Sequence, residues 1–375
     1  MSVSYFVVCP CPLPSGMLDA FDDIDGQFEE EAAARQARRS AGHGCPELPP
    51  LPPPDVALAG RFDADGEGGW ADFTNTPIGI RFRVFLAGPV DAPLLVYIPG
   101  TLTDFRKPAD RRHLAAFERS FRVLSLDLRN CGRSRPLTWE LSGGSGFSHA
   151  GTYADDVAAV VTAVFGPEAK FHVAGFSSGA NIALWVAHRY PDRVRRVVNI
   201  AGGFFANRED EFIGDDLEDW ERVMGAEDIV WFRALVDFEP SLEARSQRLL
   251  GLVNVNFGEE WQRQNPGAAR NIVEVLAAEE RALAGTEGYS REALVRGARH
   301  VEVANFVCGS PPRWSLAELG PRALVVGGRL DGMHRPHRFQ TLHARMPGSR
   351  LEWFQEGHAV TAVASEAIVG FLLAP

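Results

Sequence analysis

From about residue 70 to the end of the chain, hydrophobic and polar positions form short blocks. Residues 78–86 alternate apolar residues with arginine, which predicts an early antiparallel strand. Wholly or largely apolar runs predict buried strands at 94–98, 121–126, 171–174, 194–200, 323–326 and 351–354. A helical period lies between two of them at 153–165, and another follows the last strand at 361–373. Strands that alternate with helices imply a parallel sheet with both faces covered.

The strand pattern is missing from residues 204–312, where candidate helices occur at 219–224, 227–236, 268–283 and 291–298. We predict that this segment is a helical cap on a core made of residues 61–203 and 313–375. This segment leaves the core at the C-terminal edge of the sheet, which is formed by the carboxyl ends of the strands. Open α/β folds bind ligands at that edge. A helical subdomain without a gating role is the alternative. Residues 1–60, with a proline run at 48–54, are predicted to form a partly disordered arm.

Composition narrows the class of protein. The chain has 375 residues, 45% of them hydrophobic, which suffices for one large α/β domain with an insertion. A net charge of −11 without any basic stripe argues against a nucleic-acid partner. The five scattered cysteines match neither a disulfide framework nor zinc-ligand spacing. Because no apolar run is long enough to span a bilayer and no signal-peptide pattern is present, we expect a cytoplasmic protein.

The most informative segment is Gly175-Phe-Ser-Ser-Gly179, which joins a predicted buried strand to an apolar helix. A serine hydroxyl is a poor nucleophile and must be held where a base can reach it. A sharp strand-to-helix turn does this, and the glycines two before and two after the serine relieve crowding at the turn. Ser177 is therefore the candidate nucleophile.

A serine nucleophile needs a base and a group that orients the base. His358 follows the last predicted strand and precedes the terminal helix, so it is the best base among ten histidines. Asp331 follows the penultimate strand, where it would hold the imidazole tautomer and stabilise the imidazolium. The rival histidines His300, His334 and His337 are expected to have surface or packing roles more often than substrate contacts.

Backbone N–H groups are the expected oxyanion donors. One is the N–H of Ser178, directly after the nucleophile. The other should come from the loop after the predicted strand 94–98, with Thr101 as the leading candidate and Leu102 next. Gly100 lets the backbone approach closely.

Other charged and polar residues receive structural interpretations. Asp127 and Arg129 end a strand and are read as turn and loop scaffolding, and His172 as a structural strand residue. Asp155 and Asp156 are expected to cap a helix, where carboxylates favour the helix dipole.

Together these segments resemble the α/β-hydrolase superfamily, from about residue 70 to residue 375. Cys131-Gly-Arg-Ser-Arg-Pro136 is similar to proline iminopeptidases. The sequence departs from those peptidases at Pro99-Gly100, where they carry a His-Gly-Gly-Pro-Gly loop, and at Ser178, where they place tryptophan. The resemblance implies an α/β-hydrolase fold, a mostly parallel twisted sheet flanked by helices with a cap insertion, and no metal or organic cofactor.

A serine at this strand-to-helix turn, the nucleophile elbow of the family, points to acyl chemistry. Relatives that act on haloalkanes or epoxides carry aspartate at the same position. We expect a serine hydrolase that cleaves a carboxylic ester, or a related acyl bond, of a small molecule through an acyl-enzyme. An aminopeptidase of the proline iminopeptidase type, an acyltransferase and a non-catalytic ligand-binding protein of this fold are the alternatives. Oligomeric state is left open.

Overall fold

The computed structural model describes residues 69–75, 80–100, 114–129, 131, 134, 150–204, 253, 259–284, 301, 305, 309–334 and 336–375. All of them belong to one compact unit, Leu48–Pro375. The predicted arm at 1–60 lies outside the described residues, and so do the candidate cap helices at 219–224, 227–236 and 291–298.

One sheet organises the described residues. Its eight strands are β1 (Gly69–Asn75), β2 (Ile80–Ala87), β3 (Leu94–Ile98), β4 (Arg122–Leu126), β5 (Phe171–Phe176), β6 (Val194–Ile200), β7 (Ala323–Gly328) and β8 (Arg350–Phe354). They are ordered β1-β2-β4-β3-β5-β6-β7-β8. β2 pairs antiparallel with both β1 and β4, and all other pairs are parallel.

The prediction of a mostly parallel sheet with an early antiparallel strand is confirmed. β1 was not predicted, because the sequence of residues 69–75 carries glycine, aspartate and asparagine and shows no regular apolar alternation. Its backbone nevertheless pairs with β2 over its whole length, from Gly69 opposite Leu86 to Asn75 opposite Ile80. Pairing with a strong neighbouring strand has overridden a weak local preference.

Helices follow most of the parallel strands. They are α1 (Ala150–Phe165), α2 (Ser178–Arg189), α3 (Glu259–Gln264), α4 (Pro266–Ala284), α5 (Arg313–Leu319), α6 (Pro336–Arg345) and α7 (Thr361–Leu373). α4 corresponds to the candidate cap helix at 268–283, and α7 has the bounds expected from its periodicity. Within the described residues, no helix is both long and apolar enough to cross a membrane.

The central strands are buried on both faces. In β3, Val96 and Ile98 point into one apolar cluster, while Leu95 and Tyr97 point into another. The first cluster includes side chains of α1, α2, α5 and α6, and the second includes side chains of α7. A strand with period-2 side chains and helices on both faces has to be apolar throughout, as these runs are.

Parallel pairing brings the carboxyl ends of six strands to one edge of the sheet. These strands are β3, β4, β5, β6, β7 and β8. The residues singled out as catalytic candidates follow β5, β7 and β8, so the sheet alone brings them to the same edge of the molecule. This is the edge where open α/β folds bind ligands.

The core of the sheet also contains a titratable group, His172 in β5. Its ring packs edge-on against Phe121, with 6.1 Å between ring centroids, and Nδ1 has no hydrogen-bond partner among the described residues. Burial, and then the charges of Arg195 and Arg196, lower the pKa of His172 from 6.5 to about 4. The folded protein therefore keeps this ring neutral in conditions where an unfolded chain would protonate it.

We predict that His172 makes the protein less stable in mild acid. As pH falls from about 6.5 to about 4, the unfolded chain takes up a proton at this position and the folded protein does not, so the free energy of unfolding decreases. Below about pH 4 both states are protonated and the loss levels off. Urea unfolding of wild type and His172→Leu across this range measures it. The stability of wild type relative to the variant should fall with pH, and a constant difference would contradict the prediction.

Candidate active site

The turn that carries Ser177 connects β5 directly to α2. Ser177 has φ 54° and ψ −126°, a backbone conformation that residues with a side chain rarely adopt. Its N–H donates to the Ile200 carbonyl at 2.8 Å, and its own carbonyl accepts from the Ala180 N–H at 2.9 Å. Such a conformation costs on the order of 1–3 kcal/mol and persists only where surrounding contacts over-determine it.

Close backbone packing explains the two glycines of the motif. A Cβ on Gly175 would lie 2.1 Å from the Gly179 carbonyl oxygen, and a Cβ on Gly179 would lie 2.2 Å from the Pro99 carbonyl oxygen. Both distances are shorter than any real carbon–oxygen contact. The spacing of small residues around Ser177 is therefore required by the fit of the turn between β5, α2 and the end of β3.

Asp331 lies on the loop that follows β7. The loop is held to the chain after β8 by the Arg329 N–H, which donates to Phe354, and by the Leu330 N–H, which donates to Glu356. Oδ1 of Asp331 accepts the backbone N–H groups of Met333 at 2.8 Å and of His334 at 2.9 Å. Oδ2 is 2.9 Å from Nδ1 of His358. One oxygen of the Asp331 carboxylate thus faces the imidazole, while two backbone N–H groups hold the other oxygen in place.

His358 lies beside the serine turn. Its ring centroid is 5.1 Å from that of Phe176, the residue before Ser177, and only 3% of the histidine is exposed. Because a carboxylate can only accept a hydrogen bond, the proton of the neutral ring resides on Nδ1 and Nε2 carries the lone pair. Nε2 is buried and has no hydrogen-bond partner among the described residues. A buried imidazole nitrogen in this state is suited to take a proton from a hydroxyl group.

The structure thus joins Asp331 to His358 by a hydrogen bond and packs the His358 ring against Phe176, the residue before Ser177. The assignment of these catalytic roles stays a prediction. Ser178 is the first residue of α2, so its N–H lies at the start of a helix, where donors are unpaired within the helix. Thr101 and Leu102 lie outside the described residues.

Gly100 is the last described residue of the loop after β3. A Cβ on it would lie 3.0 Å from Cβ of Ser177 and 3.0 Å from the ring of Phe176. Gly100 therefore lies directly against the serine turn.

A second histidine packs against the first. His334 is 7% exposed, and its ring centroid lies 5.4 Å from that of His358. Its Nδ1 is 2.9 Å from Nη1 of Arg338, which can only donate, so the proton of the neutral ring is on Nε2. Burial, followed by Arg338 and His358, holds the pKa of His334 well below its usual 6.5. The packing role expected for His334 agrees with this arrangement, while His300 lies outside the described residues.

The helix-capping interpretation of Asp155 and Asp156 is wrong. α1 begins at Ala150, which puts both carboxylates beyond its first turn. Asp156 forms a bidentate pair with Arg129, with both N–O distances 2.6 Å, and Asp155 accepts from Arg189 and from the Tyr190 hydroxyl, each at 2.7 Å. The scaffolding role of Arg129 has a physical basis in this pair, which ties the loop after β4 to α1.

Two polar residues near the site carry no sequence signal that singles them out. Arg338 lies on α6 and donates to His334 and to the Phe204 carbonyl, and Asn305 donates to the Ser178 carbonyl. Arg338 follows a histidine by four residues, and Asn305 lies in a segment without a recognisable motif. Only the three-dimensional arrangement identifies them.

Sequence comparison identifies the family. Residues 93–360, more than half of the chain, match the model of the alpha/beta hydrolase fold family. The protein therefore belongs to the α/β-hydrolase family, as the resemblance in its motifs implied. Comparison with curated proteins finds no match.

Solved structures with the same fold cover most of the chain. An enol-lactonase from Burkholderia xenovorans LB400 is 18% identical, with a TM-score of 0.52 over 79% of this chain and 98% of that chain. A meta-cleavage product hydrolase from Pseudomonas fluorescens IP01 is 16% identical, with a TM-score of 0.55 over 79% and 95%. The thioesterase domain from the curacin biosynthetic pathway is 18% identical, with a TM-score of 0.53 over 82% and 99%. At these identities the likeness establishes the fold.

We predict that Arg338 adds to the effect of burial in lowering the pKa of His334. In Arg338→Met one of the charges that lower the pKa of His334 is gone while burial remains, so this pKa should rise and still stay below 6.5. Titration of the histidine ring nitrogens by NMR, assigned with a His334→Gln variant, measures the shift.

Arg345→Met is the matched control, because Arg345 lies on the same helix but its guanidinium sits over the Phe204 ring, 4.5 Å from the ring centroid. That variant should leave the titration of His334 nearly unchanged. A wild-type His334 that protonates near pH 6.5 would contradict the prediction.

Proposed function

We propose that the protein is a serine hydrolase that cleaves a carboxylic ester, or a related acyl bond, of a small molecule. The observation that carries this proposal is the state of His358: a buried ring fixed by Asp331 at Nδ1, with Nε2 unpaired among the described residues, beside the strained turn at Ser177. A lactonase and a thioesterase among the structural neighbours are consistent with acyl chemistry.

The proposed reaction has two halves. Oγ of Ser177 attacks the acyl carbon while Nε2 of His358 accepts the hydroxyl proton, and the N–H groups of Ser178 and Thr101 bind the oxyanion. The tetrahedral intermediate collapses, the leaving group receives the proton from His358, and an acyl-enzyme remains. Water then loses a proton to His358 and attacks the acyl carbon, and as the acid leaves, His358 returns that proton to Oγ of Ser177. Asp331 stabilises the imidazolium in both halves.

The segment 204–312 is proposed as a cap over this site. Its described helices are α3 and α4, and Val253, Ala269 and Val273 form a small apolar cluster of their own. A segment with its own core is suited to shape a pocket above the sheet edge without contributing a strand. The proposal needs no metal or organic cofactor, since His358 carries every proton transfer and backbone N–H groups stabilise the oxyanion.

The next prediction tests whether Ser177 is the nucleophile. A fluorophosphonate probe should add once per chain, and peptide mapping should place the adduct on Ser177. Ser177→Ala should lose the adduct and remain folded, and His358→Ala should slow its formation strongly because the base is missing. Ser365→Ala removes a serine on α7 whose hydroxyl donates to the Ala362 carbonyl, and this variant should be labelled at the wild-type rate.

The outcome separates the alternatives. Unlabelled protein is then assayed on aryl esters, thioesters and aminoacyl arylamides, with and without an alcohol acceptor. Preference for arylamides would replace the esterase assignment with a peptidase, and ester product formed with the alcohol would identify an acyltransferase. Well-folded wild-type protein that forms no adduct would overturn the proposal in favour of a binding protein.

A further prediction concerns the substitution Asp331→Asn. The N–H groups of Met333 and His334 require an acceptor, so the amide oxygen of the new residue takes the place of Oδ1 and its NH₂ group faces Nδ1 of His358. The ring is then forced to carry its proton on Nε2, where it cannot act as a base. We expect turnover and the rate of probe labelling to fall by about 10⁴-fold, as for a wrong tautomer in a serine triad.

Asp155→Asn serves as the matched control, because it also neutralises a buried carboxylate but one that pairs with Arg189 and Tyr190 on α2 and just after it. Its effect should be on stability and not on the labelling rate of folded protein. An Asp331→Asn variant that keeps more than a tenth of the wild-type rate would refute the proposed role of Asp331.

A further inference from the structure

A buried carboxamide network joins the elbow helix to a distant part of the chain. Asn305 donates from Nδ2 to the Ser178 carbonyl at 3.0 Å, and its Oδ1 accepts from Nδ2 of Asn181 at 3.1 Å. Nδ2 of Asn181 also donates to the Gly309 carbonyl at 2.9 Å, and so does Nε1 of Trp185, at 2.9 Å. Asn181 and Asn305 are both 0% exposed.

The cost of this arrangement indicates that it serves a purpose. A carboxamide removed from water loses hydration that only well-placed partners replace, whereas an apolar side chain of similar size has no such cost. Both the oxygen and the nitrogen of Asn305 are paired, with partners more than 120 residues away in the chain. The network therefore fixes the position of Asn305 relative to its partners on α2 more specifically than apolar packing would.

The bonded carbonyl belongs to the first residue of α2. Ser178 directly follows the strained residue Ser177, and its N–H is the proposed oxyanion donor. The turn is held from other directions by the Ser177–Ile200 hydrogen bond and by the contact of Gly179 with Pro99. Asn305 adds a hydrogen bond to the first turn of α2. Helix ends fray unless such contacts restrain them.

We propose that Asn305 is a positioning residue for the nucleophile elbow, and that its carboxamide keeps the Ser178 peptide and the Ser177 hydroxyl in their reactive geometry. The residue comes from the segment 204–312, so the proposed cap contributes to the catalytic geometry itself. This inference rests on the proposed function of Ser177. It predicts a loss of reactivity that is larger than the accompanying loss of stability explains.

Two variants remove the donation to Ser178 in different ways. Asn305→Leu replaces the carboxamide with an apolar side chain of similar size, and Asn305→Asp keeps an acceptor for Asn181 but puts an oxygen in place of the donor nitrogen. Trp185→Phe is the matched control, because it deletes the hydrogen bond to Gly309 in the same network and leaves the Asn305–Ser178 bond in place.

The experiment measures the second-order rate of fluorophosphonate labelling of folded protein, together with the urea midpoint of each variant. All three substitutions should lower the midpoint. The two Asn305 variants should also label about tenfold more slowly or worse, since small misplacements of reacting groups are costly, while Trp185→Phe stays within about twofold of wild type. On a substrate ester, kcat should fall with KM nearly unchanged.

The outcomes are distinguishable. Either Asn305 variant labelling at the wild-type rate while folded overturns the inference and leaves the proposed hydrolase intact. If Trp185→Phe slows labelling as much as the Asn305 variants do, Asn305 has only a general packing role. That outcome also overturns the inference. Wild-type protein that is not labelled defeats the proposed function, and the inference falls with it.

Discussion

Backbone contact around Ser177 is the constraint on which the rest of the candidate site depends. Gly175, Gly179 and the Pro99 carbonyl come so close that no side-chain atom fits between them. This packing leaves the chain one way to pass from β5 into α2, and that way puts Ser177 at a positive φ. The position of the hydroxyl is therefore set by the sheet and the helix, which are rigid, instead of by a loop. A preorganised nucleophile needs no reorganisation when a substrate arrives.

The candidate acid Asp331 and the candidate base His358 depend on a second close contact. A Cβ on Gly328 would lie 2.3 Å from the Gly357 carbonyl oxygen, so the loops after β7 and β8 are pressed together. This places Asp331 and His358 within hydrogen-bonding distance although 27 residues separate them. Two backbone donors occupy Oδ1, which leaves Oδ2 to face the imidazole. The backbone thus determines which carboxylate oxygen of Asp331 faces His358.

Local patterns predicted most of the sheet and the three candidate residues because these features have local causes. Apolar runs mark buried strands, glycine spacing marks the elbow, and residues directly after parallel strands meet at one edge. The failures have non-local causes. The capping interpretation of Asp155 and Asp156 assumed a helix that starts nearby, whereas the partner of Asp156 is Arg129, on a different element. A buried charge requires a partner, but nothing in the sequence says which one.

The two ends of the segment 204–312 contact different halves of the site. At its beginning, the Phe204 N–H donates to the Arg338 carbonyl, and Arg338 in turn donates to the Phe204 carbonyl and to His334, the neighbour of His358. Near its end, Asn305 donates to Ser178, the neighbour of Ser177. Among the described residues, buried hydrogen bonds therefore link the inserted segment to a neighbour of the candidate base, through Arg338 and His334, and to a neighbour of the candidate nucleophile, Ser178. Since buried hydrogen-bonded groups resist displacement, a substitution at either junction acts on the geometry of the site as well as on the insertion.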